Sequence, residues 1–399
     1  MTERLSSRSW LLAAIGASLI CRICLAIFTY GTNDASMWES SAALIRDTGG
    51  RSIYEGSVEV RDPQGQLLHY QIFNHPPFMV RVLAGINVVK AATGIPVRVT
   101  IRLLDTAADL GTVLLTAAIL RHMFGSIPLL SMLLAVIAPS WIFISGFHAN
   151  TDPLMVFFLV LAVYLIEVRG QTAWGMFAFA LATGIKVVPI FLLPALLLWF
   201  RDWRERFRAL LILATFWFVT AMPWLVNTPL AMAGHIFGYR SITGHWGIGV
   251  LFNIFYGQAS VFNNYGLYLL AIVMVTAAWL MNRRGARAAL FCQFGFLLFL
   301  FHLLTPGFGI QYLAWLTPWV TVLPWRVAAA HIAASGAFCA AVYTYWNRGL
   351  PWYYANSVTA GTWGAKAGLL GLAAWLTVLL VVRTYGRRGL LKRCAGKYD

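Results

Sequence analysis

Apolar stretches of about 20 residues recur along the whole chain, from 10–30 to the last one before Arg383, and short loops that carry most of the basic residues separate them. Such a pattern fits an all-α bundle crossing a membrane and little else. Composition agrees: 60% of residues are hydrophobic, 11% are charged, and mean hydropathy is +0.71. A soluble domain carries about a quarter charged residues, enough to coat a surface that this chain could not coat. The formal charge of +16 sits in short loops and in the tail, with no basic-aromatic groove, so nucleic acid is not an expected partner. Cys21 and Cys24 flank Arg22 and Ile23 inside the first span, where a redox or zinc role is not expected.

Basic residues mark the cytoplasmic side of a membrane protein. Arg4 and Arg8 place the N-terminus there, and the first span is expected to remain as an anchor. Residues 201–208, 283–287 and the basic tail 383–399 fall on the same side. Parity then closes with about twelve transmembrane helices, both termini cytoplasmic, in a single integral membrane domain over 1–399. A bacterial inner membrane is the expected location. The first extracytoplasmic loop, 31–98, is large. Within it, 78–92 reads as an amphipathic helix lying on the membrane surface behind Pro76-Pro77.

Carboxylates are unevenly placed. Of 14 Asp and Glu, six (Asp34, Glu39, Asp47, Glu55, Glu59, Asp62) fall in 31–75, and none follows Glu205 until Asp399. Carboxylate chemistry therefore belongs to the first half. Asp34 opens a helix expected over 35–46, with Trp38, Ala42 and Ile45 on one face. It reads as that helix's N-cap, as a general base near the membrane surface, or as both. His75 closes the loop as a substrate contact or a solvated side chain. His148 and Asp152, four apart, would share a helical face as a hydrogen-bonded pair lining a cavity. Lys186 lies deep in an apolar hairpin, where it either meets a phosphate or snorkels to the interface. Asp105 and Asp109 share a face with Arg102 and are expected to pair with it. Pro306-Gly307-Phe308-Gly309 breaks a span, which turns Gln311 and Tyr312 toward a cavity.

In order, these segments resemble the C-type (GT-C) integral membrane glycosyltransferases that use polyprenyl-phosphate-linked sugars. Asp34 after the first span, Asn74-His75-Pro76-Pro77, Arg102-Leu103-Leu104-Asp105 with Asp109-Leu110, and the turn from His148 to Asp152 carry the resemblance. So do Lys186, Pro189 and Pro194, and Gln311-Tyr312-Leu313-Ala314-Trp315. It implies catalysis by Asp34 and transfer with inversion of a sugar, mannose among the candidates. The donor would be a polyprenyl-phosphate sugar and the acceptor a lipid or cell-envelope glycan, on the extracytoplasmic face among membrane lipids. It also implies that Lys186 or Arg240 steadies the departing phosphate, and that outer aromatics such as Trp246 and Trp352 meet sugar faces or interfacial lipid. No cofactor is implied. Where some members carry Asp-X-Asp, this chain reads Asn33-Asp34-Ala35-Ser36, so Glu39 or Asp152 would supply the second acid and metal dependence stays open. The alternative is a transporter or flippase of lipid-linked glycans, but no internal repeat is visible.

Overall fold

A computed structural model describes residues 2–239, 241–257, 260–283 and 288–386. Arg240, Arg284, Arg287 and the tail beyond Gly386 lie outside them. The chain is an all-α polytopic membrane protein. Seven helices among the described residues are long and apolar enough to cross a membrane: Ser9–Phe28, Val97–Phe124, Leu129–His148, Trp203–Asn227, Ser260–Met281, Trp325–Trp346 and Ala365–Gly386. Shorter apolar helices at Thr172–Ile185, Val188–Trp199, Gly247–Tyr256 and Leu290–Leu304 complete the bundle. Strands among the described residues form three two-stranded sheets.

The first four helices frame the site. They are α1 (Thr2–Phe28), α2 (Asn33–Thr48), α3 (Pro77–Thr93) and α4 (Val97–Phe124). A hairpin, Ser57–Arg61 against Leu67–Ile72, lies between α2 and α3. Pro76 and Pro77 start α3, as their fixed φ and missing N–H favour. Met79, Leu83 and Ile86, spaced to share a face, are buried, and α3 packs on α2 and α4. Each such side chain contributes roughly 1.5–3 kcal/mol when fully buried.

Polar groups inside the bundle pair differently from the sequence expectation. Arg102 is fully buried, but it does not take Asp105 or Asp109 as its partner. Its guanidinium donates to the Thr29 carbonyl and hydroxyl, each at 3.0 Å, and to the Leu25 carbonyl at 3.4 Å. These acceptors lie at the end of α1, where a cation also suits the helix dipole. Asp109 instead pairs with Arg22 of α1 at 3.0 Å, and Arg22 also donates to Ser145 at 2.9 Å. Asp105 and Asp109 are four positions apart on one helix, and of the two it is Asp109 that meets the Arg22 cation. Cys21 and Cys24 are both free and exposed on α1.

Just past α1, Gly31-Thr32 pairs in parallel with Tyr354-Ala355. Gly31 has φ of 109°, and a Cβ there would stand 2.7 Å from the Phe147 carbonyl oxygen. Both conditions require glycine. This pairing sets the start of α2 beside the end of the Leu129–His148 segment.

Candidate active site

Thr32, not Asp34, is the N-cap of α2, which corrects the sequence reading. The Thr32 hydroxyl accepts from the Asp34 N–H at 3.2 Å and donates to the His148 carbonyl at 2.7 Å. The Asp34 carboxylate is thereby free for other work. The Leu129–His148 segment ends in a π turn, Ile144–His148, and Ala149 then adopts a left-handed conformation with φ of 61°. That conformation is uncommon for a residue with a Cβ. The Ala149 carbonyl takes the Trp38 indole N–H at 2.8 Å. Leaving the helix in this way sends both the His148 ring and the Asn150 amide to Asp34 Oδ2, at 3.1 and 2.8 Å.

His148 and Asp152 therefore do not share a helical turn, and each holds a different partner. His148 Nε2 faces a carboxylate that can only accept, so it carries a hydrogen, and Nδ1 lies 2.8 Å from the Tyr343 hydroxyl. Asp152, fully buried at the start of its helix, binds Lys186 Nζ through Oδ1 at 2.5 Å. The Lys186 ammonium also lies over the Tyr312 and Trp315 rings, 4.7 and 5.2 Å from their centroids. Its ammonium is thus tied to Asp152 and to two rings of the fold.

Asp34 and Lys186 look into one cavity of about 280 Å³. Its polar wall adds Gln71, Asn74, His75, Asn150, Tyr239, Gln311 and Tyr312. An apolar wall is made by Val187, Val188, Ile190, Phe191, Ile236, Phe237 and Leu267. Ile190 and Phe237 of that wall are also exposed, so it continues to the outside of the bundle. The broken span contributes as expected, since Thr305, Pro306 and Gly307 line the cavity along with Gln311 and Tyr312.

Burial alone would raise the Asp34 carboxyl. Hydrogen bonds from His148 and Asn150, together with the nearby Lys186 charge, outweigh it and hold Asp34 below the usual carboxylate range. It is ionised at neutral pH, with 28% of its side chain exposed. Oδ2 takes both of these donors, and Oδ1 takes neither. His75 is pushed down to about 4 by burial and then by the Lys186 charge, so it is neutral.

Of the candidate residues, Asp34, His75, Lys186, Gln311 and Tyr312 line the cavity, and His148 and Asp152 stand behind it as supports. Glu39 is elsewhere. It binds Lys90 at 3.2 Å and Arg98 at 3.3 Å, tying α2 to α3 and α4. Arg240 lies outside the described residues. Trp246 is buried and stacks on Phe308 at 3.8 Å, and Trp352 packs on Phe143 and Phe147. Among the described residues, no group of three His, Cys, Asp or Glu side chains converges as a metal would need. Sequence reasoning missed Asn150, although it lies within the turn singled out, and Tyr343, which carries no sequence signal.

Fold and cavity together define an all-α polytopic membrane architecture with one deep polar pocket. The crystal structure of ArnT from Cupriavidus metallidurans bound to undecaprenyl phosphate shares the fold, with a TM-score of 0.51 over 94% of this chain and 77% of that one, at 14% identity. No family model and no curated protein matches the chain.

Proposed function

We propose that this chain is a membrane glycosyltransferase that moves a hexose, mannose among the candidates, from a polyprenyl-phosphate donor to a lipid or cell-envelope glycan hydroxyl. The reaction inverts the anomeric centre and takes place on the extracytoplasmic face. One observation carries the reading: an ionised, hydrogen-bonded carboxylate, Asp34, shares a single cavity with a half-buried ammonium, Lys186, held by Asp152. A base and an anion site in one space are what displacement of a phosphate by a hydroxyl requires. The apolar wall beside Lys186 suits a prenyl chain, and the likeness to a fold whose solved example holds undecaprenyl phosphate supports it.

In this reading Asp34 Oδ1 takes the acceptor's hydroxyl proton as its oxygen attacks the anomeric carbon. The bond from that carbon to the phosphate oxygen breaks, and its electron pair leaves with the polyprenyl phosphate. General-base help of this kind is worth roughly 10²–10⁴-fold. Lys186 and the cavity's amide and hydroxyl donors steady the growing phosphate charge. The test is incubation of the purified protein with a panel of polyprenyl-phosphate sugars, reading release of polyprenyl phosphate. Release from none of them overturns the proposal.

A further inference from the structure

His75 is held on every side except one. Tyr54 donates its hydroxyl to the His75 backbone carbonyl at 2.5 Å. The ring packs on Trp38, with centroids 4.7 Å apart, and on Phe73 at 5.6 Å. Nδ1 faces the Ile185 carbonyl at 3.4 Å. A carbonyl only accepts, so Nδ1 carries the hydrogen of the neutral ring and Nε2 presents a lone pair. His75 lines the cavity, so that lone pair is left for a hydrogen-bond donor.

Its place in the cavity is also defined. Trp38 lies one turn from Asp34 on α2, and the His75 ring rests on Trp38. On the other side, the carbonyl that fixes His75 belongs to Ile185, the residue before Lys186. Both charges act on the His75 ring. His75 thus stands between the base and the ammonium. If the donor phosphate lies at Lys186 and the attacking hydroxyl at Asp34, the group between them is the sugar in transit. A lone pair there repels phosphate oxygen and welcomes an O–H.

We infer that His75 Nε2 accepts a hydrogen bond from one hydroxyl of the transferred sugar, which makes His75 a specificity-determining residue for the donor. The inference rests on the glycosyltransferase reading. It limits the sugar to one that bears a free hydroxyl at the position His75 reaches.

The experiment measures the affinity of purified protein for a short-chain prenyl-phosphate hexose and for its monodeoxy analogues, without acceptor. Binding is the readout because deoxygenation also changes the reactivity of the anomeric centre. Wild type should lose roughly five- to tenfold in affinity for one analogue, the size of one neutral hydrogen bond. His75→Phe should lose the same factor for the parent sugar and show no further loss with that analogue. His75→Gln, whose side-chain oxygen can accept, should recover part of the discrimination. Undecaprenyl phosphate, which has no sugar, should bind wild type and both variants alike. Equal sensitivity of wild type and the Phe variant to every analogue overturns the inference while leaving the glycosyltransferase reading intact. Failure of wild type to bind undecaprenyl phosphate or any prenyl-phosphate hexose overturns both. If the Phe variant does not fold, His75→Leu takes its place: a discrimination profile equal to that of wild type refutes the contact.

Discussion

His148 Nε2 lies 3.1 Å from Asp34 Oδ2, bridging 114 residues of chain, and behind it the Tyr343 hydroxyl closes on Nδ1 at 2.8 Å. The three groups form a line that ends in the cavity. His148 is 4% exposed and touches no cavity space, so it orients the carboxylate rather than meeting substrate.

Replacing Asp34 with Asn should leave the fold intact, because the cap of α2 is Thr32. The amide oxygen can still accept from His148 and Asn150. Turnover should drop by roughly 10²-fold or more with undecaprenyl phosphate binding retained. Near wild-type turnover would remove Asp34 from the base's role.

Tyr343→Phe removes the far end of the line without touching the cavity. The expected result is a fall in kcat of about three- to tenfold with KM for donor unchanged, since one neutral hydrogen bond is worth about 1 kcal/mol. His148→Phe, which deprives Asp34 of a donor, should cost more and should shift the acid limb of the rate profile upward. A change confined to KM would assign these residues to substrate instead.

Lys186→Met tests the anion site, but alone it strands the buried Asp152 carboxylate, at a cost of about 3–5 kcal/mol in stability. Asp152→Asn combined with Lys186→Met should restore stability and still bind undecaprenyl phosphate about ten- to a hundredfold more weakly, the range for a charged hydrogen bond. Full affinity in the double variant would place the phosphate elsewhere.

Acid should act through His75 before Asp34. The His75 pKa falls from 6.5 in the unfolded chain to about 4 in the fold. A depressed pKa gives stability that is complete above pH 6.5 and lost as pH falls through 4, because the unfolded chain takes the proton first. Asp34, held below 3.8, loses its contribution only below that value. Thermal unfolding in detergent should therefore show stability declining between pH 6.5 and 4. In His75→Phe this decline should be shallower. An identical pH slope in both proteins would contradict the assignment of a neutral His75.

Sidedness can be read by thiol labelling in a cysteine-free background. A cysteine at position 47 should react from the extracytoplasmic side and one at position 283 from the cytoplasm. Reaction of both from one side would move the site to the wrong face.

The helical bundle was legible because apolar length and loop charge are local properties of sequence. Asp34 and Lys186 stood out for a related reason: an isolated charge at the edge of an apolar span has few structural explanations. Their partners were not legible. Glu39 looks as eligible as Asp34 in the sequence, and only the approach of Lys90 and Arg98 shows that its carboxylate is already engaged. The pairing of Asp152 with Lys186 spans 34 residues, and that of His148 with Tyr343 spans 195. No periodicity encodes such contacts. The separation of His148 from Asp152 turned on one left-handed alanine, Ala149, at a position where residue type favours an ordinary helix.

Pairing of Gly31-Thr32 with Tyr354-Ala355 has a consequence for synthesis. The strand leading into Asp34 emerges among the first residues of the chain, and its partner among the last. A ribosome inserting this protein must deliver Tyr343 and then Tyr354 before the Asp34 carboxylate acquires its frame. A chain stalled before Tyr343 would thus sit in the membrane with its cavity half lined and the Asp34 carboxylate unsupported.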